Sequence, residues 1–82
     1  MKRLAVILGY PGEEGEEGYC QGVLQDLKNY PAFLRTPNGG YWNEGEIDVL
    51  PVSPTKARVQ VAIDRLKLVD YGLVVFSGHG YY

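Results

Sequence analysis

Leu4-Ala5-Val6-Ile7-Leu8, closed by Gly9-Tyr10-Pro11-Gly12, is the stretch whose reading decides the fold. Five apolar residues without polar alternation suit a strand covered on both faces. Lys2 and Arg3 in front of it give the run a superficial likeness to a signal peptide. It breaks at Gly9 and is too short for a signal core or a membrane span, so a buried first strand is the better reading. Such a strand needs helices above and below it and neighbours on its edges.

Those neighbours can be found downstream. Gly12-Glu13-Glu14-Gly15-Glu16-Glu17-Gly18 has no apolar content and reads as an acidic loop. Gly22 to Arg35 reads as a helix, with Val23, Leu27, Tyr30 and Leu34 on one face. Pro31 falls inside it, which predicts a kink or a helix that stops near Tyr30. Thr36-Pro37-Asn38-Gly39-Gly40 is a loop by composition. Tyr41 to Glu46 has no clear period; Tyr41 and Trp42 suit the rim of the sheet or a contact with another segment.

Ile47 to Val52 predicts a second strand, with Pro51 at its end because proline cannot donate to a sheet ladder. Thr55 can cap a second helix over Lys56 to Leu66, whose apolar face is Val59, Ala62, Ile63 and Leu66. Asp70-Tyr71-Gly72 breaks that pattern, and Leu73 to Phe76 is a third buried strand. Strand, helix, strand, helix, strand argues for a parallel α/β sheet with right-handed crossovers, the first strand lying between the other two. Ligands of such sheets sit beyond the carboxyl ends of the strands, where the strand order reverses. The loops at that end carry the glutamates and His79. The outer edge of the third strand is left bare and calls for another strand, from a further segment or from a partner.

With 82 residues the chain makes one small unit, residues 1–82. Its only cysteine, Cys20, excludes an internal disulfide, and no Cys/His cluster could hold a structural zinc. A net charge of −2 gives no electrostatic reason to expect nucleic acid as a partner. The expectation is a soluble cytoplasmic protein that does not use a membrane. From the residues alone His79 has two readings. Flanked by Gly78 and Gly80 at a strand end, it can titrate near neutrality in a site, or it can be a surface histidine in a turn.

Phe76-Ser77-Gly78-His79-Gly80, behind Leu73-Val74-Val75, resembles the catalytic-histidine motif of the caspase and metacaspase clan of cysteine peptidases. Leu4 to Tyr10 looks like that family's first strand. Gly22-Val23-Leu24-Gln25-Asp26-Leu27 is similar to the metacaspase segment that begins the first helix, and Ile47 to Leu50 and Pro54-Thr55-Lys56 fit its second strand and second helix start. The resemblance runs in order along essentially the whole chain. It implies a three-layer caspase-like, flavodoxin-like fold, incomplete at the C-terminus, and a Cys–His endopeptidase acting on protein or peptide substrates. His79 would be the general base toward a cysteine thiol, and the backbone N–H of Gly80 would face the developing oxyanion. Asp26 would line the S1 pocket and favour arginine or lysine at P1. Read without the resemblance, Asp26 is a solvated residue in the first turn of a helix.

Two departures from the family pattern matter. The family's nucleophile lies beyond the histidine, after a fourth strand, so a C-terminal segment or a partner chain would have to supply it. Cys20 precedes the first-helix motif and does not stand at the nucleophile's position, and the motif's own cysteine is Val23 here. Some metacaspases depend on calcium. The run Glu13, Glu14, Glu16 and Glu17 lacks EF-hand spacing, so no cofactor is assigned and calcium stays an option for the whole domain. The competing expectation is a catalytically inactive module that docks on a partner, or on a second copy, through the edge of the third strand. An unrelated flavodoxin-like binding domain would need a phosphate-binding first loop, which the glutamates oppose.

Overall fold

The computed structural model describes residues 1–12 and 21–78. Strand β1 (Arg3–Tyr10) is followed by helix α1 (Gln21–Leu34), strand β2 (Ile47–Val49), helix α2 (Lys56–Leu66) and strand β3 (Tyr71–Gly78). The three strands form one parallel sheet in the order β2-β1-β3, so this is a small α/β fold with β1 at its centre. The first crossover steps from β1 out to β2; the second steps back across β1 to β3. Two crossovers of one hand in opposite directions need their helices on opposite faces. The core divides accordingly. Ala5 and Ile7 pack with Val23, Leu27, Leu34 and Trp42 on the α1 face, while Leu4, Val6 and Leu8 pack with Leu50 and Ala62 on the α2 face.

β1 runs two residues past its apolar core, so Gly9 and Tyr10 are strand residues rather than the start of a turn. Helix α1 does not stop at Tyr30; it continues through Pro31 to Leu34. Pro31 lies four residues after Leu27 on the inner stripe Val23, Leu27, Pro31, Leu34 and is buried there. Its missing N–H leaves the Leu27 carbonyl without the usual helical partner. Tyr30 falls off that stripe and is 42 % exposed.

After α1 the chain reverses in a 3₁₀ turn, Pro37–Gly39. Thr36 caps it by accepting from the Gly39 N–H, and Gly40 takes φ 103°, which a side chain would oppose. The reversal returns Trp42 to the core, and its backbone N–H donates to the Leu34 carbonyl at 2.9 Å. The Arg3 guanidinium lies 4.4 Å from the Trp42 ring centroid, held by the Tyr41 carbonyl and the Glu46 carboxylate. Arg3 keeps the Glu46 carboxyl below its ordinary value of 4.5, chiefly through their hydrogen bond.

β2 is shorter than the sequence suggests, ending at Val49. Leu50 and Ser53 still donate to the Ile7 and Gly9 carbonyls at 2.9 Å, so the chain follows β1 without regular ladder geometry up to the loop before Thr55. Pro51 falls in that irregular stretch, as a residue without an N–H must. The second helix spans Lys56–Leu66, and Thr55 accepts from the Arg58 N–H. Its inner stripe is Val59, Ala62 and Leu66, continued by Val69. Ile63 lies on the flank and is 41 % exposed. Asp48 of β2 accepts from Arg58 and Arg65, at 3.0 and 2.9 Å, which ties α2 to the sheet edge.

β3 is covered on one face only. Leu73 and Val75 pack into the α1-side core, whereas Val74 and Phe76, alternating with them, are each 56 % exposed. α2 packs over β1 and does not reach far enough to shelter them. Among the described residues β3 pairs on one edge alone. No described helix is long and apolar enough to cross a membrane.

Two outcomes follow from these contacts. Asp48→Ala leaves Arg58 and Arg65 without their shared acceptor and, with both guanidiniums partly solvated, should lower unfolding stability by about 1–2 kcal/mol in urea melts. The Glu46 carboxyl, lowered in the folded state, contributes stability that is complete above the ordinary value of 4.5 and is lost as pH falls through the lowered one. Glu46→Gln should therefore flatten the acid limb of a stability–pH profile below about 4.5 while leaving its slope near neutrality unchanged.

Candidate functional site

The carboxyl ends of β1 and β3 lie side by side, with Gly9 paired to Ser77 and Tyr10 to Gly78. Strand alternation decides which side chains reach the site. Residues 73, 75 and 77 share the face toward α1, so the Ser77 hydroxyl is presented to the helix where Leu73 and Val75 meet the core. Asp26 stands in the second turn of α1, between the core residues Val23 and Leu27. It is half-buried, and the Ser77 hydroxyl donates to its Oδ2 at 2.7 Å. That length is typical of a hydroxyl donating to a carboxylate. The bond joins residues fifty-one apart in the chain and ties the first helix to the end of the third strand.

On the opposite face, Tyr10 and Phe76 bring their rings to 5.8 Å at the same end of the sheet. The Tyr10 hydroxyl donates to the Pro54 carbonyl at 2.9 Å, which draws the loop before α2 toward this end. The carboxyl end is thus flanked by a carboxylate–hydroxyl pair on the α1 side and an aromatic pair on the α2 side.

Of the residues singled out in the sequence, Asp26 is described: its carboxylate meets the Ser77 hydroxyl at the carboxyl end of β3. His79 and Gly80 lie outside the described residues, as do Cys20 and the run Glu13, Glu14, Glu16 and Glu17. Among the described residues no group of three or more His, Cys, Asp or Glu side chains could hold a metal ion. A hollow of about 480 Å³ is lined by Gly22, Leu24, Gln25 and Lys28 on the outer flank of α1. Another, of about 320 Å³, lies at the β2 edge beside Arg35, Glu44 and Asp48. Neither includes Asp26 or Ser77, so the pair lies apart from both.

Ser77 stands inside the Phe76-Ser77-Gly78-His79-Gly80 motif with no role that the resemblance implies. The signal was available. A lone hydroxyl residue alternating with Leu73 and Val75 must turn to the helix-covered side, where a buried polar group seeks a partner. Trp42 is a second difference: it is core rather than rim, 6 % exposed.

Compared with known proteins, the chain matches no family model, no curated protein and no solved structure.

The Asp26–Ser77 bond can be measured. In a double-mutant cycle on unfolding stability, Asp26→Ala and Ser77→Ala should each destabilise, with a coupling of about 1–2 kcal/mol between them. A coupling near zero would mean that the two side chains do not share a bond in solution.

Proposed function

We propose that the chain is the N-terminal portion of a caspase-like cysteine endopeptidase domain, in which a cysteine from a C-terminal segment or partner chain completes a dyad with His79. The observation that carries this reading is the Asp26–Ser77 hydrogen bond at the carboxyl end of β3. It brings the residue matching the family's basic-P1 carboxylate to the strand that runs directly into the histidine motif. A parallel sheet with β1 beside β3 and helices on opposite faces supports the same reading.

In this reading the substrate's P1 arginine or lysine enters beside Asp26, whose carboxylate neutralises the cation. The Ser77 bond uses Oδ2; among the described residues Oδ1 has no side-chain partner, and it can accept from the incoming guanidinium or ammonium. His79 takes the thiol proton as the sulfur attacks the scissile carbonyl and returns it to the leaving amine. The Gly80 N–H donates to the oxyanion of the tetrahedral intermediate.

A second reading keeps the fold but not the chemistry. Val74 and Phe76, each 56 % exposed beside an edge paired on one side among the described residues, favour a docking module in which β3 receives a strand from a partner or from a second copy.

Fluorogenic peptides with arginine, lysine or aspartate at P1 separate the two readings. They are to be tested on the chain alone and fused to a caspase-like C-terminal half. The fused form should cleave after arginine and lysine. His79→Ala should reduce turnover by roughly 10²–10⁴-fold, the range expected for a lost general acid–base. Asp26→Ala should abolish the preference for basic P1 residues. Silence in every form from a folded chain would favour the docking module. Activity of the chain alone that depended on Cys20 would replace the proposed nucleophile.

A further inference from the structure

Gly9 stands next to the last residue of β1, and a glycine within a strand commonly marks a close approach of another element. Here three groups approach it. A methyl group at Gly9 would lie 2.5 Å from Cγ1 of Val23, 3.3 Å from Cδ2 of Leu27 and 3.2 Å from the Ser77 carbonyl oxygen. Val23 and Leu27 bracket Asp26 on α1, and Ser77 is its hydrogen-bond donor. All three neighbours therefore belong to the helix turn and the strand residue that make the Asp26–Ser77 pair.

We infer that Gly9 is a positioning residue of this pair: its missing side chain sets the distance between α1 and the end of β3 that lets the Asp26 carboxylate reach the Ser77 hydroxyl. The magnitudes support a specific effect. The first contact falls about 1 Å short of the roughly 3.5 Å at which carbon atoms rest against each other. Val23 cannot swing aside easily, because a valine in a helix is nearly confined to one rotamer. The helix turn has to move outward instead. A shift of about 1 Å takes a short O–H···O bond beyond its usual limit near 3.0 Å. The S1 role of Asp26 rests on the proposed function; the spacing role of Gly9 does not.

The test is made on the 82-residue chain by nuclear magnetic resonance, comparing the wild type with Gly9→Ala, Val23→Ala and the double variant. Proximity of the Asp26 and Ser77 β-protons is the readout, with β1–β3 cross-strand contacts reporting the sheet. Gly9→Ala should lose the Asp26–Ser77 contact while keeping the sheet. The double variant, which removes the valine methyls the new methyl would strike, should regain it. A retained contact in Gly9→Ala overturns the inference. If Gly9→Ala does not fold, the double variant decides: a recovered pair sustains the inference, whereas a variant that folds without the pair, or fails to fold while Val23→Ala alone folds, overturns it. Titration with N-acetyl-arginine amide tests the S1 reading separately. A wild-type chain that shows the pair but no response at Asp26 removes that reading and leaves the Gly9 result to stand by itself. Binding at Asp26 should weaken roughly tenfold in Gly9→Ala, the scale of one lost hydrogen bond to a charged group, and return in the double variant.

Discussion

Burial of β1 on both faces and both edges is the constraint on which the rest of the molecule depends. Leu4 through Leu8 are all buried, with Ala5 and Ile7 inaccessible on the α1 side and Leu4, Val6 and Leu8 closed by α2 and Leu50 on the other. Fully burying a leucine, isoleucine or valine stabilises by about 1.5–3 kcal/mol, so this one strand concentrates much of the favourable energy of a small domain. It also determines what the other elements can do. α1 and α2 must take opposite faces, β2 and β3 must take opposite edges, and the loops leaving β1 and β3 must emerge together at the carboxyl end.

Polar contacts then act where the core leaves alignment open. Arg3, Glu46 and Trp42 fix the start of β1 against the turn after α1, and Asp48 binds α2 through two arginines. At the far end, the Asp26–Ser77 bond joins α1 to β3. These contacts lie at the periphery, where apolar packing is thin and a directional bond can set an angle that a hydrophobic surface alone would leave loose. Under the proposed function, the carboxyl-end bond has a second use, since it holds a carboxylate at the mouth of the substrate site.

β3 shows a contrast within one strand. Its α1-facing residues are packed, while Val74 and Phe76 are more than half exposed although they are as apolar as their neighbours. Local sequence cannot distinguish these two halves, because a run of Leu-Val-Val-Phe reads as buried on both faces. The difference arises from the lateral position of α2, which lies over β1 and meets β3 near Gly72, through Leu66, without covering Val74 and Phe76. The inner stripes show the same limit. Pro31 rather than Tyr30 continues the buried line of α1, and Ile63 falls outside that of α2, because a helix's exact rotation follows from what it packs against.

What the sequence determined by itself was the alternation of elements, the central strand, the sheet order and the span of α2 with its Thr55 cap. Each depends on local periodicity or on chain chirality, both of which operate over a few residues or over any crossover. Asp26 entered as a candidate through the resemblance of its segment to a metacaspase helix start, and not through its local pattern. Only the tertiary structure decided that its carboxylate meets Ser77, that Trp42 is core, that Gly9 is a strand residue between α1 and β3, and that one face of β3 stays open. These are contacts between residues far apart in the chain. They depend on how closely a helix can settle on a sheet, and that distance is set by packing in three dimensions.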